Sequence, residues 1–372
     1  MNRISMMVLI LCSCLVSVAL GEQPAGMCSN KWAQFHKYNM RRSNPCEKVL
    51  NVNTVGNLVL KWSYPLGTFA ESSPAVAMGM VFVGGTNTLY ALNAKTGAEV
   101  WSYTTGDTVY SSPAVSDAIV YFGSADDKLY ALNAKTGALL WSYNTGSPVY
   151  SAPALVNGVV YFGSNGVHAL NAKTGVELWS YAGASGSPSV ANGMVYVVYY
   201  RTVYALNAST GTLLWSYTTG DFVDLPAVVD GVVYVGSRDN NVYALNATTG
   251  AKLWSYATGN WVQTSPAVAS SVVYAGSYDG NLYALPAKTG KKLWSYLAGG
   301  FVTSSPAVAN RVVYIANDSG TLYALNAGTG AKLWESSFGT GAFASPVVAD
   351  GLVYLPGYDY LDKGNLYVFG LK

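Results

Sequence analysis

Ala91-Leu92-Asn93-Ala94-Lys95-Thr96-Gly97-Ala98-Glu99-Val100-Trp101 decides the fold, because the chain repeats it at 131–141, 169–179, 205–215, 244–254, 284–294 and 324–334. Ahead of each copy stand a Ser-Pro-Ala-Val type segment and a Val-Val-Tyr-x-Gly-Ser type segment. The tryptophans Trp62, Trp101, Trp141, Trp179, Trp215, Trp254, Trp294 and Trp334 follow one another at intervals of 36 to 40 residues. Such a period marks a stack of supersecondary units, none of which can bury its apolar face alone. Within a unit, short runs rich in Val, Tyr and Trp alternate with turn residues such as Asp239-Asn240 and Asp279-Gly280, the pattern of four short strands. The Lys-Thr-Gly turn ending at Gly97, Gly137, Gly175 and Gly290 supplies the positive φ a tight connection needs. No segment holds a 3.6-residue period, which excludes a helical solenoid.

Closure follows from counting. Eight first strands are marked by Pro74, Pro113, Pro153, Pro188, Pro226, Pro266, Pro306 and Pro346, but the last unit ends at 365–369 without a tryptophan strand. Conversely, 58–64 is a tryptophan strand with no unit before it. The expected fold is therefore all-β: an eight-bladed β-propeller of four-stranded antiparallel blades over 58–372, the last blade closed by the N-terminal strand. Docking one Trp removes about 150–250 Å² from water, worth roughly 4–6 kcal/mol gross as an upper bound. The Trp, Tyr and Gly periodicity is thus a structural signal.

Charged residues make up 11% of the 372 and aromatics 13%, so apolar surface is ample and disorder is not expected. Residues 1–21 read as a removable signal peptide, with Arg3, an apolar run and Ala19-Leu20-Gly21. This implies a secreted or periplasmic protein, without a transmembrane segment. The rival reading takes Leu11-Cys12-Ser13-Cys14 as a lipoprotein signal, with a lipid anchor on Cys14. Cleavage lowers the formal charge from +2 to +1, which implies neither nucleic acid nor an anionic membrane as partner. Residues 22–57 form a leader, and export favours a disulfide between its Cys28 and Cys46, two free thiols being the alternative. A monomer is expected.

The stretch from Ala91 to Trp101 and its further copies resemble the tryptophan-docking motif of pyrroloquinoline-quinone (PQQ) repeat proteins, within the quinoprotein alcohol dehydrogenase-like superfamily. The leader Trp32-Ala33-Gln34-Phe35-His36, with Asn44-Pro45, looks like that of secreted PQQ-repeat proteins, including polyvinyl-alcohol-dehydrogenase-like ones. Asn93, Asn133, Asn171, Asn207, Asn246 and Asn326 stand where the family often has Asp, and Pro286 replaces them in one unit; Asn and Asp serve such turns equally. The resemblance implies one of two functions. Quinoprotein dehydrogenases hold PQQ over calcium, commonly against adjacent disulfide-linked cysteines; BamB-type members are non-catalytic. After Gly21 this chain has no adjacent cysteines and no cluster that reads as a hard-cation site, so no catalytic residue carries over. The leading expectation is an exported, non-catalytic binding or scaffolding propeller for a protein or glycan partner, with no cofactor and no metal. A PQQ-dependent alcohol dehydrogenase is the alternative.

Specificity in a propeller belongs to residues that vary while their surroundings repeat. Three positions before each proline, with a one-residue deletion before Pro226, stand Glu71, Tyr110, Tyr150, Ser185, Asp224, Gln263, Thr303 and Phe343. Glu71 in blade one and Asp224 in blade five face each other across the pore, too far round the ring to share a metal ion. They contact a ligand in the mouth or are simply solvated. Further back, Phe222, Trp261 and Phe301 belong to consecutive blades and are expected to form one aromatic contact face; packing between blades is the alternative. Arg201, beside Tyr199-Tyr200, and Arg238 are candidates for a positive lobe or a tolerated loop variation. His168 replaces a repeat tyrosine and His36 is alone, so neither Ser-His-Asp nor zinc chemistry is supported. Asn207, Asn246 and Asn317 head glycosylation sequons.

Overall fold

A computed structural model describes residues 32–33 and 42–372. The proposed signal peptide, Cys14, Cys28 and His36 lie outside them. Eight sheets surround a central channel, each built from four consecutive antiparallel strands, with the final blade shared between the chain ends. Blade one comprises Ala75–Ala77, Met80–Gly84, Thr88–Asn93 and Glu99–Thr104, ordered from the channel outward. The second and third strands are apolar on both sides and buried between neighbouring blades, whereas the outer strand alternates, its Trp101 and Tyr103 turned inward.

Closure is as expected and longer. Leu58–Gly67 pairs antiparallel with Gly364–Leu371, in register from Leu58 opposite Leu371 to Gly67 opposite Gly364. The joints between blades explain the repeat. Trp101 donates its indole N–H to the Ala134 carbonyl of the next blade at 3.0 Å, and Trp141 donates likewise to Ala172 at 3.1 Å. The hydroxyl of Tyr121 converges on that same Ala172 carbonyl. The turn glycine is constrained twice: Gly137 has φ +73°, and a Cβ there would come within 2.8 Å of the Trp101 ring. Asn133 accepts the N–H groups of Lys135 and Thr136, which shapes that turn. A one-residue bulge in the outer strand, as between Ala91 and Leu92, re-aims the tryptophan toward its neighbour. Among the described residues the pattern is incomplete in blade one, where Phe82 replaces the tyrosine, and next to the shared blade, where the Trp62 Nε1 and the Tyr314 hydroxyl are buried without a hydrogen-bond partner.

The leader is part of the ring rather than a tether. Ser43–Asn44 adds a parallel strand to the innermost strand of blade seven, and Trp32 exchanges two backbone bonds with Val76 of blade one. Arg42, fully buried, donates to the carbonyls of Ser305, Pro306 and Pro346. This desolvation lowers its guanidinium to about 9. Cys46 is disulfide-bonded; Cys28, its expected partner, is not among the described residues. Asn317 is buried, its amide donating to Ala298 at 2.9 Å, so this sequon is closed to a glycan in the folded chain.

Gly137→Ala adds a clash with Trp101 to left-handed strain, whereas Gly158→Ala, with φ +76° and nothing within 4 Å, adds strain alone. Gly158→Ala is expected to cost about 1 kcal/mol and Gly137→Ala about 2–3 kcal/mol in denaturant unfolding.

Candidate functional site

Two residues before the proline in blades one, three, six and seven, a hydroxyl fastens the loop to its own blade. Gly84 N–H donates to Ser72 Oγ at 3.0 Å, Gly163 to Ser151 at 2.8 Å and Ala316 to Ser304 at 2.7 Å. One residue before the proline, a second hydroxyl links blade to blade. Ser73 N–H reaches Ser112 Oγ at 2.9 Å, Ser265 reaches Ser305 at 3.0 Å, Ser305 reaches Ser345 at 3.0 Å and Ser345 closes on Ser73 at 2.9 Å. The second set, Ser73, Ser112, Ser265, Ser305 and Ser345, is buried and lines a cavity of about 210 Å³ at the channel mouth.

Glu71, Tyr110, Tyr150, Asp224, Gln263, Thr303 and Phe343 all line that cavity, whereas Ser185 stands outside the lining and Ser187 takes its sector. One register reading needs correcting. Asp224 N–H donates to Gly236 O at 2.9 Å, as Ser304 does to Ala316. Asp224 therefore occupies the station of Ser304, not that of Glu71 and Thr303; the residue deleted in blade five is the one before it. Desolvation raises the carboxyl of Asp224 above its ordinary value against the opposing pull of the Leu225 N–H and Arg238. Glu71 is also raised, by desolvation, although the residue keeps an exposed face and bonds to Tyr358.

Around the mouth runs a second set of side chains. Phe222, Trp261 and Phe301 are 42–46% exposed, so they do not simply pack between blades. They do not form a bare aromatic patch either. The Arg238 guanidinium lies 5.1 Å from the Phe222 centroid and 5.3 Å from that of Trp261, and Tyr278 bridges Trp261 and Phe301, stacked on Phe301 at 5.0 Å. The backbone N–H groups of Arg238, Tyr278 and Asp318 donate to the carbonyls of Phe222, Trp261 and Phe301, which fixes each loop to the adjoining turn. Tyr200 extends the belt to Phe222 at 5.5 Å. Arg238 is thus held inside the belt, while Arg201 is exposed at the equivalent turn of blade four. Tyr278 escaped the sequence reading, yet it had a signal: the residue after the turn serine varies as Ala125, Arg238 and Tyr278 in otherwise matching segments.

His168 stacks on Phe162 at 5.1 Å, and its Nε2 meets Asn165 Oδ1 at 3.0 Å. Among the described residues no group of three or more His, Cys, Asp or Glu could hold a metal ion, and no helix is long and apolar enough to cross a membrane.

A family model described as outer membrane protein assembly factor BamB matches residues 56–187, 164–305 and 297–367. A search of curated proteins finds no match. Among solved structures, a europium-containing methanol dehydrogenase is similar at TM-score 0.77 and 17% identity, over 92% of this chain and 98% of that one. The quinohemoprotein alcohol dehydrogenase ADHIIG from Pseudomonas putida HK5 gives TM-score 0.78 and 19% identity, over 92% and 80%. BamB from Moraxella catarrhalis gives 0.71 and 18%, over 84% and 100%. At these identities the likeness shows the fold alone. Among the described residues the mouth does not fit the quinone and calcium of a quinoprotein dehydrogenase: its carboxylates sit on opposite walls and no described Lys or Arg lines it to meet a polyanion.

A carboxyl whose pKa is raised by folding holds its proton more tightly in the folded chain. Ionised Asp224 therefore burdens the fold above that raised value, and the burden disappears below the ordinary 3.8. Asp224→Asn, which keeps the acceptor for Leu225, is expected to raise the Tm at neutral pH and to match the parent in strong acid, as thermal unfolding across pH will show.

Proposed function

The chain belongs to the PQQ-repeat propeller family whose model is described as outer membrane protein assembly factor BamB, and from that premise we propose an exported, non-catalytic scaffold that recognises a protein or glycan partner through its mouth-side loops. One observation carries this reading: the exposed belt of Phe222, Arg238, Trp261, Tyr278 and Phe301, spanning blades five to seven. Aromatic and arginine side chains dominate binding energy at interfaces, and rings already fixed by their neighbours lose little freedom when a partner docks. A guanidinium between two rings keeps its edge for a carboxylate, a carbonyl or a sugar hydroxyl. The solved BamB structure supports a scaffold by analogy of fold.

Trp261→Ala with Phe301→Ala is expected to abolish capture of the partner from a native extract, with near-parental thermal unfolding; undiminished capture would remove this face from consideration. The dehydrogenase neighbours favour the second reading, PQQ-dependent alcohol oxidation. Titration with PQQ and calcium is expected to give neither quinone absorbance on the protein nor dye-linked alcohol oxidation; either signal would establish the enzyme instead.

A further inference from the structure

We propose that the channel mouth is a binding site for a linear aliphatic diamine, one ammonium seated at Asp224 and Ser265 and the other at Glu71 on the opposite wall. The site is independent of the aromatic belt and goes beyond partner recognition. It starts from a defect in the serine ring. In the sectors that follow, the N–H before the proline is donated to the next blade's hydroxyl, as Ser265 to Ser305 and Ser305 to Ser345. Ser265 should receive the N–H of Leu225, but Leu225 donates to Asp224 Oδ1 at 2.6 Å. The Ser265 hydroxyl, on a residue 1% exposed that lines the cavity, is left without a hydrogen-bond partner. A buried hydroxyl without a partner can accept a donor from the cavity, and the carboxylate of Asp224, which lines the same cavity, makes a cationic donor the best match.

The rest of the cavity selects the same chemistry. Glu71 lies four blades away on the facing wall, so the two carboxylates cannot close on one metal ion but can take the two ends of one molecule. Tyr110, Tyr150 and Phe343 line the cavity between them, and the two tyrosine rings pack 5.6 Å apart. Such rings suit both the methylenes and the ammonium ends of an alkyl diamine. Arg42 is held against three carbonyls, and Arg238, clamped between Phe222 and Trp261, acts on Asp224 without itself lining the cavity. The cavity, of about 210 Å³, has room for a short diamine.

Calorimetric titration of the intact chain at low salt with cadaverine, spermidine and pentylamine tests this. Cadaverine and spermidine are expected to bind, pentylamine about tenfold more weakly, since one charged contact is lost. Glu71→Gln should lower cadaverine affinity about tenfold, to the level of pentylamine, and leave pentylamine unchanged. Ser265→Ala should weaken both amines, while Trp261→Ala with Phe301→Ala should weaken neither, which separates this site from the partner face. Cadaverine binding no tighter than pentylamine, binding that survives Glu71→Gln undiminished, or no binding at all would overturn the proposal. Should Ser265→Ala fail to fold, the parent chain and the Glu71→Gln variant at its exposed position still decide it.

Discussion

Seven indole N–H groups, from Trp101 round to Trp334, are each donated to a carbonyl of the following blade, six times to an alanine and the last time to Leu58. Every other property of the ring depends on this joint. Six of these indoles, all but Trp334, lie against a glycine that must have no Cβ in a turn that must be left-handed, and most sit on a strand bulged to aim them. Each bond is worth about 1 kcal/mol net, but the joint excludes water from the faces of two sheets, and burial of those faces is the larger contribution. No sheet can stand alone, so stability is shared around the ring and is limited where the ring is cut. Of the buried groups left without a partner, Trp62 Nε1 and the Tyr314 hydroxyl belong to the joints on either side of the shared blade.

A scaffold so uniform confines individuality to its mouth. The same hydroxyl lacing that fixes the loops makes any departure from it chemically visible. A single deletion in blade five moves Asp224 inward, diverts the Leu225 N–H and leaves Ser265 with unspent hydrogen-bonding capacity. The described leader residues Trp32 and Arg42 are fully buried against the inner strands of blades one and seven.

The fold was legible because the repeat is a direct imprint of the joint: Trp, Gly and Pro recur at the period of a blade, and the unmatched 58–64 strand announces closure. The ring of variable residues was legible for the same reason, since variation stands out against repetition. What escaped has no internal copy to compare. The leader occurs once, so nothing in its sequence tells that Ser43–Asn44 would pair with blade seven. Asp224 was misregistered by one station because a deletion can be placed on either side of a residue, and only the bond to Gly236 fixes which. The clamp on Arg238 joins residues from a loop and a turn whose proximity depends on the blade geometry.

Native-state hydrogen exchange tests the central claim, that the shared blade closes the ring and carries the same load as the others. The amides paired between Leu58–Gly67 and Gly364–Leu371 are predicted to exchange only with global unfolding, alongside those of the inner blades. Exchange of these two segments ahead of the rest, with the other blades still protected, would mean that the ring is held without its closure.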